Sequence, residues 1–134
     1  MRPFDVLIAS HGPLAAAMVD AAGMICGAMP RVTAVGLAPH DSPESFLERV
    51  EQAIDAERPT LILTDLYGGT PHNVLCTLAK RRADQVRLIA GANLGLVIEA
   101  VTSDGEPLDD ALVERLTTLA REAVVDVSTR LAAR

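Results

Sequence analysis

Thr60-Leu61-Ile62-Leu63-Thr64-Asp65-Leu66-Tyr67-Gly68-Gly69-Thr70-Pro71 reads as a strand, a turn and the start of a helix. The first five residues are a continuous apolar and β-branched run, the pattern of a strand buried on both faces. Asp65 and the Gly68-Gly69 pair punctuate it as a turn. Thr70-Pro71 then opens a helix by the logic of a cap followed by a proline in the first turn, with Val74, Leu75, Leu78 and Ala79 turned inward.

The same alternation extends in both directions. Upstream, Phe4-Asp5-Val6-Leu7-Ile8-Ala9 is a first strand that stops at Ser10-His11-Gly12. A helical stripe of Leu14, Met18, Ala21, Ala22 and Ile25 follows and ends at Gly27 and Pro30. Val32-Thr33-Ala34-Val35-Gly36-Leu37 is a second strand. Ser42-Pro43 starts a helix with Phe46, Leu47, Val50 and Ile54 on one face, closed by Pro59. Downstream, Val86-Arg87-Leu88-Ile89-Ala90 is a fourth strand ending in Gly91-Ala92-Asn93-Leu94-Gly95. A long helix from about Pro107 carries Leu108, Leu112, Leu116 and Leu119. Apolar strands separated by helices predict an α/β domain: an open, doubly wound, mostly parallel sheet with helices on both faces. Val124-Val125-Asp126-Val127-Ser128-Thr129 is dense in β-branched residues and is expected to form a C-terminal antiparallel edge strand, in its own chain or in a partner's.

Composition narrows the function classes. The chain has 134 residues, 49 % hydrophobic and 22 % charged, which is one ordinary globular domain with its own core. Twelve Lys and Arg stand against 18 Asp and Glu, a formal charge of −6. That sign disfavours phosphate backbones and anionic lipid, and an aromatic share of 2 % gives no platform for stacking bases. Met1-Arg2-Pro3-Phe4-Asp5 lacks a signal-peptide layout, so a cytoplasmic location is expected. Cys26 and Cys76 have no metal-type spacing and read as small buried hydrophobes in a reducing compartment.

The chemistry is expected at the carboxyl ends of the strands, where open α/β sheets bind ligands. Two ends carry unusual residues: the first ends in Ser10-His11-Gly12, the third in Asp65 and the Gly-Gly turn. With strands one and three adjacent, His11 and Asp65 project into one crevice. A carboxylate that accepts the Nδ1 proton of a histidine sets its tautomer and leaves the Nε2 lone pair free for an electrophile. Gly68 and Gly69 expose N–H groups at a helix start, an anion cradle to which Thr70 adds a hydroxyl, either as helix cap or as a phosphate contact. His40, before Asp41-Ser42-Pro43, reads as a solvated loop residue at the same edge.

Val6-Leu7-Ile8-Ala9-Ser10-His11-Gly12, Asp65-Leu66-Tyr67-Gly68-Gly69-Thr70-Pro71-His72-Asn73 and Ala90-Gly91-Ala92-Asn93-Leu94 together resemble the mannose-family EIIA component of the sugar phosphotransferase system. The resemblance spans nearly the whole chain. It implies a four-stranded sheet of order 2-1-3-4 with a C-terminal strand exchanged across a homodimer. It implies that His11 is phosphorylated through Nε2, that Asp65 orients it, and that Gly68, Gly69 and Thr70 hold the phosphoryl oxygens. Phospho-HPr would be the donor and an EIIB protein the acceptor, with no metal or cofactor, no nucleic acid, and membrane contact only indirectly through the permease complex. Residues 1–134 would be a single EIIA-type domain without a fused EIIB unit, serving either sugar uptake or a regulatory phosphoacceptor role. Two positions depart from the family: His72 where Phe is usual, and Gly95 where many relatives have Pro.

Three rival readings fit less well. A receiver domain with a phosphorylated Asp needs an acidic pair where Ser10-His11 stands. A histidine phosphatase needs an Arg just before its nucleophile. A nucleotide- or small-anion-binding regulator has neither G-x-G-x-x-G nor G-K-[ST] to support a nucleotide.

Overall fold

A computed structural model describes residues 1–133. The elements run β1 (Asp5–His11), α1 (Leu14–Cys26), β2 (Val32–Leu37), α2 (Pro43–Ala53), β3 (Thr60–Thr64), α3 (Thr70–Arg81), β4 (Val86–Ala90), α4 (Leu94–Val101), α5 (Asp110–Glu122) and α6 (Val127–Ala132). The strands form one sheet of order β2-β1-β3-β4 with every pairing parallel, as expected. Val6 pairs with Val32 on one side and Leu61 on the other, so β1 and β3 are direct neighbours.

The alternation of side chains divides the core between two faces. Val6, Ile8, Leu61 and Leu63 face one way and pack with residues of α1, α4 and α5, among them Ala22, Leu96, Val97 and Leu116. Leu7, Ala9 and Ile62 face the other way and meet Phe46 and Val50 of α2 and Leu75 and Leu78 of α3. Burying a side chain of this size contributes about 2 kcal/mol, so the sheet is stabilised from both sides.

Several boundaries and faces differ from expectation. The inward face of α1 is rotated: Ala15 and Ala22 are buried with Met18, Val19 and Cys26 against them, while Leu14 and Ile25 are exposed. In so alanine-rich a helix, hydrophobicity alone does not set the phase. The buried Ser10 hydroxyl does, by accepting the Ala15 N–H at 2.7 Å. The long helix begins at Asp110 rather than at Pro107, because Asp109 caps it by accepting the Leu112 N–H at 2.9 Å. An unexpected helix, α4, is capped by Asn93, whose Oδ1 accepts the Leu96 N–H at 2.8 Å and whose Nδ2 donates to Ala120 O at 3.0 Å. Gly95 lies inside α4, where a Cβ would come 3.2 Å from Ala123 Cβ. Cys26 and Cys76 are free and only half-buried.

Among the described residues the expected C-terminal edge strand is not formed. Val127–Ala132 is helical, and Asp126 starts it by accepting the Thr129 N–H at 3.0 Å and the Thr129 hydroxyl at 2.6 Å. Residues 121–133 are all exposed. A strand needs a ladder partner and a surface for alternate side chains, and with neither supplied by the single chain, the local cap decides the conformation.

Candidate functional site

His11 is the last residue of β1, and Asp65 follows the last residue of β3, so the β1–β3 pairing brings them together at the carboxyl edge of the sheet. The His11 ring Nδ1 lies 2.9 Å from Asp65 Oδ2, and the same oxygen accepts the His11 backbone N–H at 3.0 Å. Asp65 Oδ1 accepts the Leu66 N–H at 3.0 Å. The carboxylate is 8 % exposed, while the His11 side chain is 46 % exposed, so the acid is held inside and the imidazole faces out.

Burial is the largest influence on the Asp65 carboxyl and acts to raise its pKa. The opposing hydrogen bonds from the His11 N–H and ring, the His11 charge and the Leu66 N–H together outweigh it and hold the group below the usual carboxylate range. An ionised carboxylate only accepts, so Nδ1 is the donor, and in its neutral form the ring carries its lone pair on Nε2.

Gly69 stands against the exposed edge of that ring. A Cβ placed there would lie 2.8 Å from His11 Cε1 and 3.4 Å from Nε2. Its φ of −76° is ordinary, so glycine is required by the close approach and not by backbone conformation. Gly68, by contrast, has φ +87°. Together they turn the chain into α3, which begins at Thr70 with Gly69 as its N-cap. Thr70 is therefore the first helical residue and not the cap. Among the described residues, no hydrogen bond takes the backbone N–H of Gly68, Gly69 or Thr70. These donors lie at a helix N-terminus beside the imidazole edge, where an anion is favoured.

β2 supports the same loop. Gly12 donates its N–H to Leu37 O at 2.8 Å, and a Cβ on Gly36 would fall 2.1 Å from Gly12 O, so the chain after His11 lies directly on a bare glycine. Sequence reading assigned no role to Gly36 or to the Ser10 hydroxyl; the buried Ser10 and the half-buried Gly36 are supports whose only signals are their residue types. His72 is half-buried, its ring centroid 4.7 Å from that of Tyr67 and its Nε2 3.5 Å from Cys76 Sγ. His40 is an exposed turn residue. Tyr67 is 85 % exposed, and Leu66 and Leu14 are exposed too, so residues adjoining the His11 and Gly-Gly loops present apolar surface to solvent.

The arrangement is an outward imidazole, a buried ionised acid behind it and free amide donors beside it. Among the described residues no group of three potential metal ligands occurs, and no helix is long and apolar enough to cross a membrane. The family model described as "PTS system fructose IIA component" matches residues 5–117. A sorbose-specific EIIA component of Klebsiella pneumoniae is 31 % identical over 121 residues, 89 % of this chain and 88 % of that one. A sorbose-specific EIIA component of Lacticaseibacillus casei is 27 % identical over 130 residues, 95 % and 93 % of the two chains. The crystal structure of phosphotransferase system component EIIA from Streptococcus agalactiae superposes with a TM-score of 0.87 at 29 % identity, covering 94 % of this chain and 98 % of the other.

Proposed function

The chain belongs to the mannose-family EIIA components of the sugar phosphotransferase system, and from that premise we propose that it carries a phosphoryl group on Nε2 of His11, taken from phospho-HPr and passed to an EIIB histidine. The observation that carries this reading is the 2.9 Å contact between His11 Nδ1 and Asp65 Oδ2, which leaves Nε2 as the nucleophilic nitrogen.

In the forward step the P–N bond to the donor imidazole breaks as a P–N bond to His11 Nε2 forms; the Nδ1 proton stays on the ring, donated to Asp65. The positive charge that develops on the substituted ring is stabilised by that carboxylate. The N–H groups of Gly68, Gly69 and Thr70 receive the phosphoryl oxygens. The onward step reverses these events toward the acceptor. Phosphoryl transfer of this kind is mostly positioning and charge stabilisation, and the rigid parallel sheet supplies the positioning.

The exposed Leu14, Leu66 and Tyr67 give HPr and EIIB an apolar surface around the imidazole. The uncovered Val124, Val125, Val127 and Leu131 support a homodimer in which a second copy covers this segment. A cytoplasmic location completes the reading. Its test is transfer from purified phospho-HPr to the wild type and to His11→Ala: the reading expects label on the former and none on the latter, and labelling of both to the same extent would end it.

A further inference from the structure

At the opposite end of the sheet from His11, a cavity of about 330 Å³ lies among Arg2, Cys26, Met29, Arg31, Val101 and Thr102. Arg2 is 6 % exposed, and a buried guanidinium is ordinarily matched by a carboxylate. Here its Nε donates to Val101 O at 3.1 Å, Nη1 to Phe4 O at 2.8 Å and Nη2 to Pro30 O at 2.5 Å. Those bonds use three of five N–H groups and leave one hydrogen on each Nη.

Two acids lie nearby, Asp5 and Asp104, the latter itself on the cavity wall, and neither forms an ion pair with Arg2 among the described residues. Asp5 Oδ1 is shared by Arg58 at 2.8 Å and Arg31 at 3.5 Å, and Asp104 faces the Met1 amino group at 3.8 Å. Burial pulls the Arg2 pKa down, and the attraction of Asp5 and Asp104 does not restore it. So in a chain of net charge −6, three arginines gather around two carboxylates, with the buried one lacking an ion-pair partner among the described residues.

A second observation is independent of charge. Arg31, also on the cavity wall, has φ +60°, the one positive φ outside glycine among the described residues. Glycine would suit that backbone better, so the arginine stands there against its conformational preference.

We propose that this cavity is a binding site for a small oxyanion, held two-pronged by the free Nη hydrogens of Arg2 and by the Arg31 guanidinium. A fork of planar donors matches two oxygens of one phosphate or carboxylate group, and the volume admits such a head with a few attached carbons. The site is separate from the Gly68-Gly69 cradle, which lies beyond the other end of β1, and it does not depend on the phosphohistidine reading.

The experiment is a titration of the 15N-labelled chain with inorganic phosphate, chloride holding the ionic strength constant. Saturable shifts of the Arg2 Nε–H resonance and of the Thr102 amide are expected. Arg31→Gly, which suits the φ +60° backbone and so keeps the fold, should bind about fivefold more weakly while melting no lower than the wild type in chloride. Unmoved Arg2 and Thr102 resonances, or equal affinity in Arg31→Gly, overturn the proposal. Shifts confined to the Gly68, Gly69 and Thr70 amides also overturn it, and leave the phosphohistidine reading standing.

Discussion

One carboxylate oxygen, Asp65 Oδ2, accepts both the backbone N–H of His11 at 3.0 Å and the ring Nδ1–H of the same residue at 2.9 Å. The acid thus fixes where the histidine sits and which way its ring points. Asp65→Ala removes both bonds without disturbing the buried strand residues, so the fold should survive. The rate of phosphorylation by phospho-HPr should fall roughly 100-fold, as loss of an orienting partner does elsewhere. Stopped-flow or quench-flow transfer rates, with circular dichroism to verify folding, check this; an unchanged rate contradicts it.

Gly69→Ala tests the close approach at the other edge of the ring. The added Cβ would sit 2.8 Å from His11 Cε1, and the imidazole must swing aside to admit it. Stability should change little, because φ at this position is −76° and the obstacle is a side chain. Transfer should slow by about 10-fold or more, since displacement of a reacting atom by a fraction of an ångström is enough to misalign it. Equal rates for the two proteins would mean that the ring does not react from this position.

Most of the frame was readable before any coordinates. Apolar, β-branched runs at 4–9, 32–37, 60–64 and 86–90 are strands because their length and their alternation with helix signals suit a sheet covered on both faces, and Ser42-Pro43 carries its helix start in two residues. The adjacency of His11 and Asp65 was legible only as a consequence of strand order, which resemblance supplied and local pattern does not. What was missed has local causes. Leu94-Gly95-Leu96-Val97-Ile98 is apolar throughout, with a glycine inside, so α4 shows no amphipathic stripe; Asn93, its cap, was the available signal. At 124–129 the β-branched residues outvoted Asp126, whose bonds to Thr129 start a helix. In α1, alanines on every side hide the phase that Ser10 sets.

Ser10→Ala addresses that support. The hydroxyl is fully buried and accepts the Ala15 N–H at 2.7 Å in the first turn of α1, while the residue at the N-cap position, Pro13, offers no side-chain bond. Its loss should cost about 1–2 kcal/mol, the usual value for a deleted cap that leaves a buried donor unpaired. Urea unfolding measures it. A change below a few tenths of a kcal/mol would show that α1 is held by packing alone.

The pH dependence of stability follows from Asp65. Its folded pKa is depressed, so its contribution is fully present above the ordinary carboxylate value and is lost as pH falls through the lower folded value. Stability from this group should therefore be flat through neutrality and decline only in acid. Unfolding curves of wild type and Asp65→Asn between about pH 2 and pH 7 should converge toward the acid end. Parallel curves over the whole range would show that the carboxylate contributes nothing through its charge.

The most direct measurement is to phosphorylate the chain with phosphoenolpyruvate, Enzyme I and HPr and to locate the phosphoryl group by 31P nuclear magnetic resonance and peptide mapping. The account predicts one acid-labile, alkali-stable phosphoimidazole on Nε2 of His11. A phosphoryl group on Nδ1, on His72 or His40, or on a carboxylate would contradict it.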